Sequence, residues 1–229
     1  MTTQSIPLNL HSDPVMALME LCKTHPGGVV FTTSFGLEDQ ILTDIICRNN
    51  LPVRIVTLDT GRLFPETYDL IDKTKAKYKV DIDSFFPETL SLEEFINEQG
   101  MSSIFKSVES RKKCCRVRKI LPLLRSLKGA KVWVTGLRSD QSNNRNNLPR
   151  IELDALSGLL KFNPLLTWSN SNLENYMEEY NVPINVLHNK GFSSIGCEPC
   201  TRAVANGEHP RAGRWWWEKS SQECGLHKG

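Results

Sequence analysis

The stretch that decides the fold is Val29-Val30-Phe31-Thr32-Thr33-Ser34-Phe35-Gly36-Leu37-Glu38-Asp39. Its β-branched and apolar beginning predicts a buried strand, and the apolar spacing that follows predicts a helix. A small-residue turn between a strand and a helix is a natural seat for an anion or a nucleotide, because free backbone N–H groups and the helix dipole point at the turn. Many α/β loops carry Ser and Gly for turn geometry alone, so this turn by itself leaves both interpretations open.

The chain continues with the same alternation of strand and helix. Further buried strands are predicted at residues 53–59, 80–86 and 131–136, with an edge strand within 159–166. We therefore predict an α/β fold with an open, mostly parallel sheet and helices on both faces. Ligands of such sheets bind beyond the carboxyl ends of the strands. Asp59, Thr60 and Gly61 then lie on the same rim as Ser34, although a strand end followed by a capped helix start explains them equally well.

Three local signals mark helix boundaries. Asp13-Pro14 predicts an N-cap followed by proline in the first turn. Ser171 and Glu174 have the spacing of a capping box and predict a helix start. Pro122 predicts a kink in the helix that follows the basic segment at residues 111–119.

Composition limits the functions to be considered. The chain has 229 residues and a net charge of +2, which suits one α/β domain and argues against a dedicated nucleic-acid binder. No apolar run is long enough to span a membrane and no signal peptide is visible, so we expect a cytoplasmic protein. In that reducing compartment the seven cysteines are more readily ligands, nucleophiles or core residues than disulfides. Cys22 and Cys47 lie in apolar helical patterns and are predicted to be core residues.

Four other cysteines have the number and spacing of a ligand set. They are Cys114, Cys115, Cys197 and Cys200. Four thiols hold a [4Fe-4S] cluster or close a zinc site. Adjacent cysteines on a helix lie about 100° apart around its axis, so both reach one centre only if that centre is large. The spacing therefore favours an iron–sulfur cluster, while zinc and unligated thiols remain alternatives.

Several motifs together carry a family resemblance. They are the cysteine pair with Lys119, the segment Gly136-Leu137-Arg138-Ser139-Asp140-Gln141-Ser142, the segment Gly196-Cys197-Glu198-Pro199-Cys200, Arg211-Ala212-Gly213-Arg214-Trp215, and Glu223-Cys224-Gly225-Leu226-His227. With these the chain resembles the assimilatory adenylylsulfate (APS) reductases, which belong with the phosphoadenylylsulfate (PAPS) reductases. The similarity extends from about residue 31 to residue 227. It implies a sheet of the adenine-nucleotide α-hydrolase type.

The resemblance assigns roles to individual residues. It implies that the nucleotide is contacted by Ser34, Gly36, Asp59, Thr60 and Gly61, and that the phosphosulfate is contacted by Lys119, Arg138, Arg145, Arg211 and Arg214. It implies that the cluster ligands are Cys114, Cys115, Cys197 and Cys200. It also implies that the nucleophile is Cys224 and that His227 is a further substrate contact. Without the resemblance, Lys119 reads as a solvated helix charge and the arginines as loop charges. A cysteine as near the chain end as Cys224 is most often an incidental thiol.

The implied reaction is the reduction of APS to sulfite and AMP in sulfate assimilation. Cys224 attacks the sulfur and forms an S-sulfocysteine, which thioredoxin or glutaredoxin then resolves. We expect residues 1–204 to form the nucleotide-binding domain with the cluster. Residues 205–229 are expected to form a mobile C-terminal tail that carries the nucleophile.

Three alternatives follow from the same residues. A PAPS reductase or a dual enzyme shares the fold and the tail, although most PAPS reductases lack the cysteine quartet. An ATP-splitting thiolation enzyme shares the fold, but its Ser-Gly-Gly-x-Asp-Ser turn differs from Ser34-Phe35-Gly36-Leu37-Glu38-Asp39. A non-enzymatic zinc module would hold zinc and no iron. Homo-oligomerisation is left open by the sequence.

Overall fold

The computed structural model describes residues 10–141 and 148–218, which form an α/β structure around one sheet. Its strands are β1 (Val29–Thr33), β2 (Arg54–Leu58), β3 (Asp83–Phe85), β4 (Val132–Val134), β5 (Ile151–Leu153) and β6 (Leu160–Phe162). Its α-helices are α1 (Pro14–Thr24), α2 (Leu37–Arg48), α3 (Pro65–Tyr78), α4 (Thr89–Gln99), α5 (Val108–Cys115), α6 (Leu121–Ser126) and α7 (Asn170–Glu179). A π-helical turn at Arg116–Ile120 joins α5 to α6.

The sheet has six strands in the order β3-β2-β1-β4-β6-β5. All neighbours are parallel except β5, which pairs antiparallel with β6 at the edge. The fold class predicted from the sequence is therefore confirmed. The predicted edge strand within residues 159–166 is instead an inner strand, because β5 covers its outer side. Its three residues are all buried, as expected for a strand paired on both sides.

Both faces of the sheet are covered, and alternate strand residues point into two different cores. Phe31 and Ile55 belong to the larger core, which contains apolar residues of α1, α2 and α7. Val30 and Trp133 point the other way and pack with α6 through Leu123. The alternation has the period of two that a pleated strand requires. The nearly continuous apolar sequence of β1 follows from this burial on both faces.

The helix boundaries agree with the sequence in part. The side chain of Asp13 caps α1 by accepting the Met16 N–H at 2.9 Å, as predicted. The predicted capping box at Ser171 is wrong by two residues: Ser169 is the N-cap of α7 and Asn172 completes the box. Asn172 performs the role usually taken by Glu or Gln, because its amide oxygen accepts the Ser169 N–H.

Chain order and sheet order together place the crevice in which ligands of this type of fold bind between β1 and β4. The chain runs outward from β1 to β2 and β3, then returns to the opposite side of β1 with β4. Loops on either side of such a reversal separate at the carboxyl ends of the strands and leave a crevice. Among the described residues, no helix has the length and apolar character needed to cross a bilayer.

Candidate functional site

A cavity of about 470 Å³ opens at this reversal of strand order. Its walls come from the turn after β1, the loop after β4, the beginning of α7 and the segment at residues 193–197. The volume falls within the roughly 300–1,000 Å³ typical of small-molecule and cofactor sites. The sequence predicted a site on this rim, and the cavity lies there.

The turn after β1 is closed by a buried carboxylate. Asp39 accepts hydrogen bonds from the backbone N–H of Ser34 at 2.6 Å and from its hydroxyl at 2.7 Å. Burial raises the pKa of Asp39 to about 6, although the two hydrogen bonds from Ser34 act in the opposite direction. Ser34 and Gly36 both line the cavity, and their predicted contact with a nucleotide stays a prediction. The hydroxyl of Ser34 already serves the turn, so it helps to shape the site that it lines.

The loop after β4 comes very close to this turn. A side chain at Gly136 would overlap the carboxylate of Asp39 and approach Glu38 within contact distance. Glycine is therefore required here for space. Gly136 was part of the motif that carried the family resemblance, yet sequence reasoning assigned it no role. A glycine directly after a buried strand is the signal that could have indicated this close approach.

Arg138 is buried, and each of its three guanidinium nitrogens donates a hydrogen bond to an acceptor of the protein. Its guanidinium donates to Glu38 at 2.9 Å, to the carbonyl of Trp168 at 2.8 Å and to the side chain of Asn170 at 2.7 Å. Arg138 lines the cavity as predicted. In this arrangement it fixes Glu38 and the start of α7 in place. The predicted contact with phosphosulfate stays a prediction.

Three further cations line the cavity: Lys119, Arg211 and Arg214. Lys119 belongs to the π-helical turn, and the two arginines belong to the segment at residues 211–218. Arg214 donates to the Ser194 hydroxyl at 3.2 Å and lies against Gly196, where a side chain would collide with its guanidinium. The structure thus brings together cations from two distant parts of the sequence. Such a wall can bind a phosphate or sulfate group.

The four cysteines of the predicted ligand set line a second, small buried cavity. Cys114 and Cys115 reach it from the end of α5, and Cys197 and Cys200 reach it from the loop after residue 196. Burial raises the pKa of the Cys114 thiol, and raises that of Cys200 to about 12. As free thiols these two are therefore protonated at neutral pH. Within the described ranges, no three or more His, Cys, Asp or Glu side chains are arranged to hold a metal ion.

The surroundings of the cysteine cavity supply hydrogen-bond donors. Three buried N–H groups of its lining residues have no partner within the described part of the chain: Arg118 Nε, Arg214 Nε and Trp215 Nε1. The hydroxyl of Thr60 lies 3.3 Å from the sulfur of Cys197. Thiolates and sulfides are acceptors for such donors. Four thiols beside unpaired N–H groups fit the chemistry of a sulfur-rich anionic group such as an iron–sulfur cluster.

The two cavities share a wall. Lys119, Cys197 and Arg214 line both of them. The cationic side of the larger cavity is therefore also one side of the cysteine cavity. Any anion held by Lys119 and Arg214 lies directly beside the thiols.

Of the three residues predicted to contact a nucleotide in the loop after β2, one lines the larger cavity. Thr60 lines the larger cavity, whereas Asp59 and Gly61 are not among its lining residues. Asp59 instead accepts the Gly61 N–H at 2.7 Å and the Tyr68 hydroxyl at 3.0 Å, and so shapes the loop. The predicted nucleotide contacts of Asp59 and Gly61 stay predictions. The predicted roles of Arg145, Cys224 and His227 concern residues outside the described ranges.

Several lining residues were missed from the sequence. They are Glu38, Asp39, Gly136, Asn170, Leu173, Met177, His188, Ser193 and Ser194. The apolar spacing of α7 predicted that Leu173 and Met177 face inward. Nothing in that spacing indicated that α7 borders the same cavity as β1 and β4, because the contact joins segments far apart in the chain.

A family model and curated relatives match most of this chain. The family model of the phosphoadenosine phosphosulfate reductase domain matches residues 28–203. The adenosine 5′-phosphosulfate reductase of Agrobacterium fabrum is 49% identical over 202 residues, which cover 88% of this chain and 78% of that protein. The adenosine 5′-phosphosulfate reductase of Allochromatium vinosum is 44% identical over 229 residues, which cover 100% of this chain and 89% of that protein.

Solved structures show the same fold. The phosphoadenylyl-sulfate reductase of Candida auris, in a phosphate complex, is 31% identical with a TM-score of 0.71 and covers 88% of this chain and 100% of that chain. The FMN adenylyltransferase of Candida glabrata, with FMN and an ATP analogue, is 19% identical with a TM-score of 0.55; the match covers 85% of this chain and 65% of that chain. This second likeness concerns the fold alone. The extent of the family match and the identity to the curated relatives together establish that the chain belongs to the phosphoadenosine phosphosulfate reductase domain family.

Proposed function

We propose that this protein reduces adenosine 5′-phosphosulfate to sulfite and AMP. The curated relatives are named adenosine 5′-phosphosulfate reductases, which supports this substrate. The observation that carries the proposal is the wall shared by the two cavities, which sets Lys119 and Arg214 beside four thiols. A nucleotide with a sulfuryl group fits a cavity at the strand ends whose cationic side meets a sulfur-rich site. A pocket with carboxylates alone on its walls would not suit such an anion.

The nucleoside end of the substrate faces different chemistry. Glu38 and Ser34 line the larger cavity and are not among the residues that line the cysteine cavity. Their oxygens are acceptors for the hydroxyl and amino groups of a nucleoside. Arg138 holds Glu38 in place through the 2.9 Å ion pair. The apolar residues Leu173 and Met177 of the lining suit the faces of a base.

The chemical step uses Cys224, which lies outside the described residues. Its thiolate attacks the sulfur of the sulfuryl group, a new S–S bond forms, and the S–O bond to the phosphate of AMP breaks. AMP leaves with the electron pair of that bond. Lys119, Arg211 and Arg214 would stabilise the negative charge that develops on the leaving phosphate. The product on the protein is S-sulfocysteine.

The second step releases sulfite. One thiolate of a dithiol protein, thioredoxin or glutaredoxin, attacks the sulfur of Cys224, and sulfite leaves with the electron pair of the S–S bond. The second thiol of the donor then resolves the mixed disulfide. The donor is oxidised to a disulfide, and its two electrons reduce the sulfuryl sulfur to sulfite. The Cys224 thiol is regenerated.

We also propose that Cys114, Cys115, Cys197 and Cys200 hold a [4Fe-4S] cluster. The support is their common cavity and the unpaired N–H groups of its lining residues. When bound, such a cluster supplies a fixed charge distribution beside the anionic end of the substrate. The hydroxyl of Thr60 forms a hydrogen bond with the sulfur of Cys197, and Lys119 and Arg214 line both cavities.

The remaining proposals concern the division of the chain into two parts and its cellular location. We propose that residues 1–204 are the nucleotide-binding unit and that residues 205–229 are the tail that carries Cys224. The described residues 214–218 of this tail pack against α5 and the loop of Cys197 and Cys200, so the mobility expected from the sequence is not proposed for them. A cytoplasmic location is consistent with the described cysteines, all of which are free thiols.

PAPS is the second candidate substrate. The family model bears its name, and the 31% identical Candida auris structure is a PAPS reductase. The test is to measure sulfite release from APS and from PAPS by the purified protein with thioredoxin, without added ATP. We expect turnover of APS that is lost in Cys224→Ser and retained in Cys47→Ser, whose thiol is half-buried in the core. Turnover of PAPS alone, a need for ATP, or zinc without iron would contradict the proposal.

A further inference from the structure

A buried ion pair joins the helix that carries two of the cysteines to the last described residue of the chain. Glu218 accepts two hydrogen bonds from the guanidinium of Arg111, at 2.8 Å to Nε and 2.8 Å to Nη2. Both side chains are only 3% exposed. Arg111 belongs to α5 and lies three residues before Cys114. The two partners are 107 residues apart in the sequence.

The segment that ends at Glu218 is held on a second side as well. Arg111 lies over the ring of Trp215 at 4.7 Å, and the backbone N–H of Trp215 donates to the carbonyl of Cys200 at 3.2 Å. Trp217 packs against Phe105 at a ring separation of 4.6 Å. Residues 214–218 are therefore attached both to α5 and to the loop that carries Cys197 and Cys200. Glu218 makes the last of these attachments along the described part of the chain.

We propose that Arg111 and Glu218 are positioning residues that fix the starting point of the chain segment bearing the nucleophile. This inference rests on the proposed function, in which Cys224 attacks the sulfuryl group. Cys224 follows Glu218 by six residues, so its Cα lies within about 22 Å of that of Glu218 even for a fully extended chain. With Glu218 fixed, this chain length limits how far the nucleophile can be from the anchored segment, whose Arg214 lines both cavities.

The chemistry of the pair suits positioning better than stabilisation. Two buried charges lose their hydration, and well-packed apolar residues often stabilise a fold as well as a buried ion pair does. A bidentate pair between guanidinium and carboxylate accepts only a narrow range of distances and angles. The pair therefore defines one geometry for residue 218 relative to α5.

The experiment compares Glu218→Gln with the wild-type holoenzyme in a single turnover. Enzyme is mixed with saturating APS without reductant, quenched at intervals, and analysed by mass spectrometry for the SO3 adduct on Cys224. Glutamine preserves the size of the side chain but offers only one oxygen and no charge. We expect adduct formation to slow by about ten- to a hundredfold. KM for APS, measured separately from steady-state sulfite release with thioredoxin over a range of APS concentrations, should change less than threefold, because the nucleotide cavity is untouched. Iron content per chain is expected to match the wild type.

Two further variants complete the design. Glu152→Gln is the matched control, since it removes the carboxylate partner of the buried Lys161 on the opposite part of the sheet. It is expected to form the adduct at the wild-type rate. Arg111→Lys keeps the charge but cannot bind in the bidentate manner, and it replaces Glu218→Gln if that variant does not fold. We expect it to slow adduct formation as well.

The possible results separate the two proposals. If the wild type forms no adduct, the proposed function fails. If the wild type forms it and the folded Glu218→Gln or Arg111→Lys variant forms it equally fast, the positioning role alone is refuted. A slower reaction that merely follows a proportional loss of iron would also overturn positioning, since the effect would then act through the cysteine site.

Discussion

At the scale of single residues, Asp39, which lines the larger cavity, makes the stability of the protein depend on pH. Burial raises its pKa to about 6, so the folded protein binds this proton more tightly than the unfolded chain, whose Asp pKa is about 3.9. Stability should therefore fall as pH rises from about 4 to 6. For one group with this shift, the loss between pH 4.5 and 7.5 is about 2 kcal/mol. Asp39→Asn removes this dependence.

The measurement is the unfolding free energy in urea at both pH values for the wild type, Asp39→Asn and the exposed control Asp69→Asn. We expect the wild type to lose about 2 kcal/mol relative to Asp39→Asn between pH 4.5 and 7.5. Asp69→Asn should follow the wild type. A constant difference between the wild type and Asp39→Asn at the two pH values would show that Asp39 does not titrate in this range.

Single residues also mark how far the sequence could predict the site. The motifs identified Ser34, Gly36, Thr60 and Lys119, all of which line the cavity. They did not reveal that Arg138 is bound to Glu38, Trp168 and Asn170. An arginine in a loop has the same sequence signature whether it faces a ligand or a protein carboxylate. Only the fold decides, because the partners of Arg138 come from α2, from the loop before α7 and from the start of α7.

At the scale of elements, the π-helical turn between α5 and α6 sets the position of Lys119. Such turns are rare and occur mainly at functional sites. Lys119 lines both cavities from this turn. A hydrogen bond from a charged donor contributes about 1.5–3 kcal/mol, so Lys119→Gln should lower kcat/KM for APS by about ten- to a hundredfold.

Steady-state sulfite release over a range of APS concentrations measures this effect. Lys75→Gln, on the exposed side of α3, is the matched loss of one lysine charge and should leave kcat/KM within about twofold of the wild type. Equal values for Lys119→Gln and the wild type would remove Lys119 from the proposed substrate contacts.

Elements were predicted well where local signals are strong. The position of β1 and the start of α1 agree with the sequence, because a buried β-branched run and an Asp cap followed by proline act locally. The predicted kink at Pro122 proved to be the beginning of α6, directly after the π-helical turn. The antiparallel partner of β6 was not predicted. A three-residue strand has too few residues for its periodicity to show, and its pairing depends on tertiary contacts.

At the scale of the whole molecule, the cysteine cavity connects two segments that are about 80 residues apart in the chain. A group bound by all four thiols links α5 to the loop at residues 197–200, and its binding energy then contributes to folding. We expect the wild type to be brown and to contain iron. Cys200→Ser should lose both colour and iron. A loss of about 3 kcal/mol should lower its Tm by roughly 6–12 °C.

Visible absorption, iron and zinc analysis, and thermal unfolding measure these properties on the same samples. Cys47→Ser is the control, because Cys47 packs against the core on α2 and does not line the cysteine cavity. It should retain iron and colour. Zinc in place of iron in the wild type, or unchanged iron in Cys200→Ser, would contradict the assignment of the quartet.

The measurement that tests the central claim most directly is mass spectrometry of the holoenzyme after incubation with APS in the absence of any reductant. The account predicts one added SO3 group per chain, located on the peptide that contains Cys224 and removed by thioredoxin with release of sulfite. Cys224→Ser should gain no such group, while Cys47→Ser should gain it as the wild type does. An unmodified wild-type Cys224 in a preparation that turns over APS when reductant is supplied would contradict the covalent mechanism.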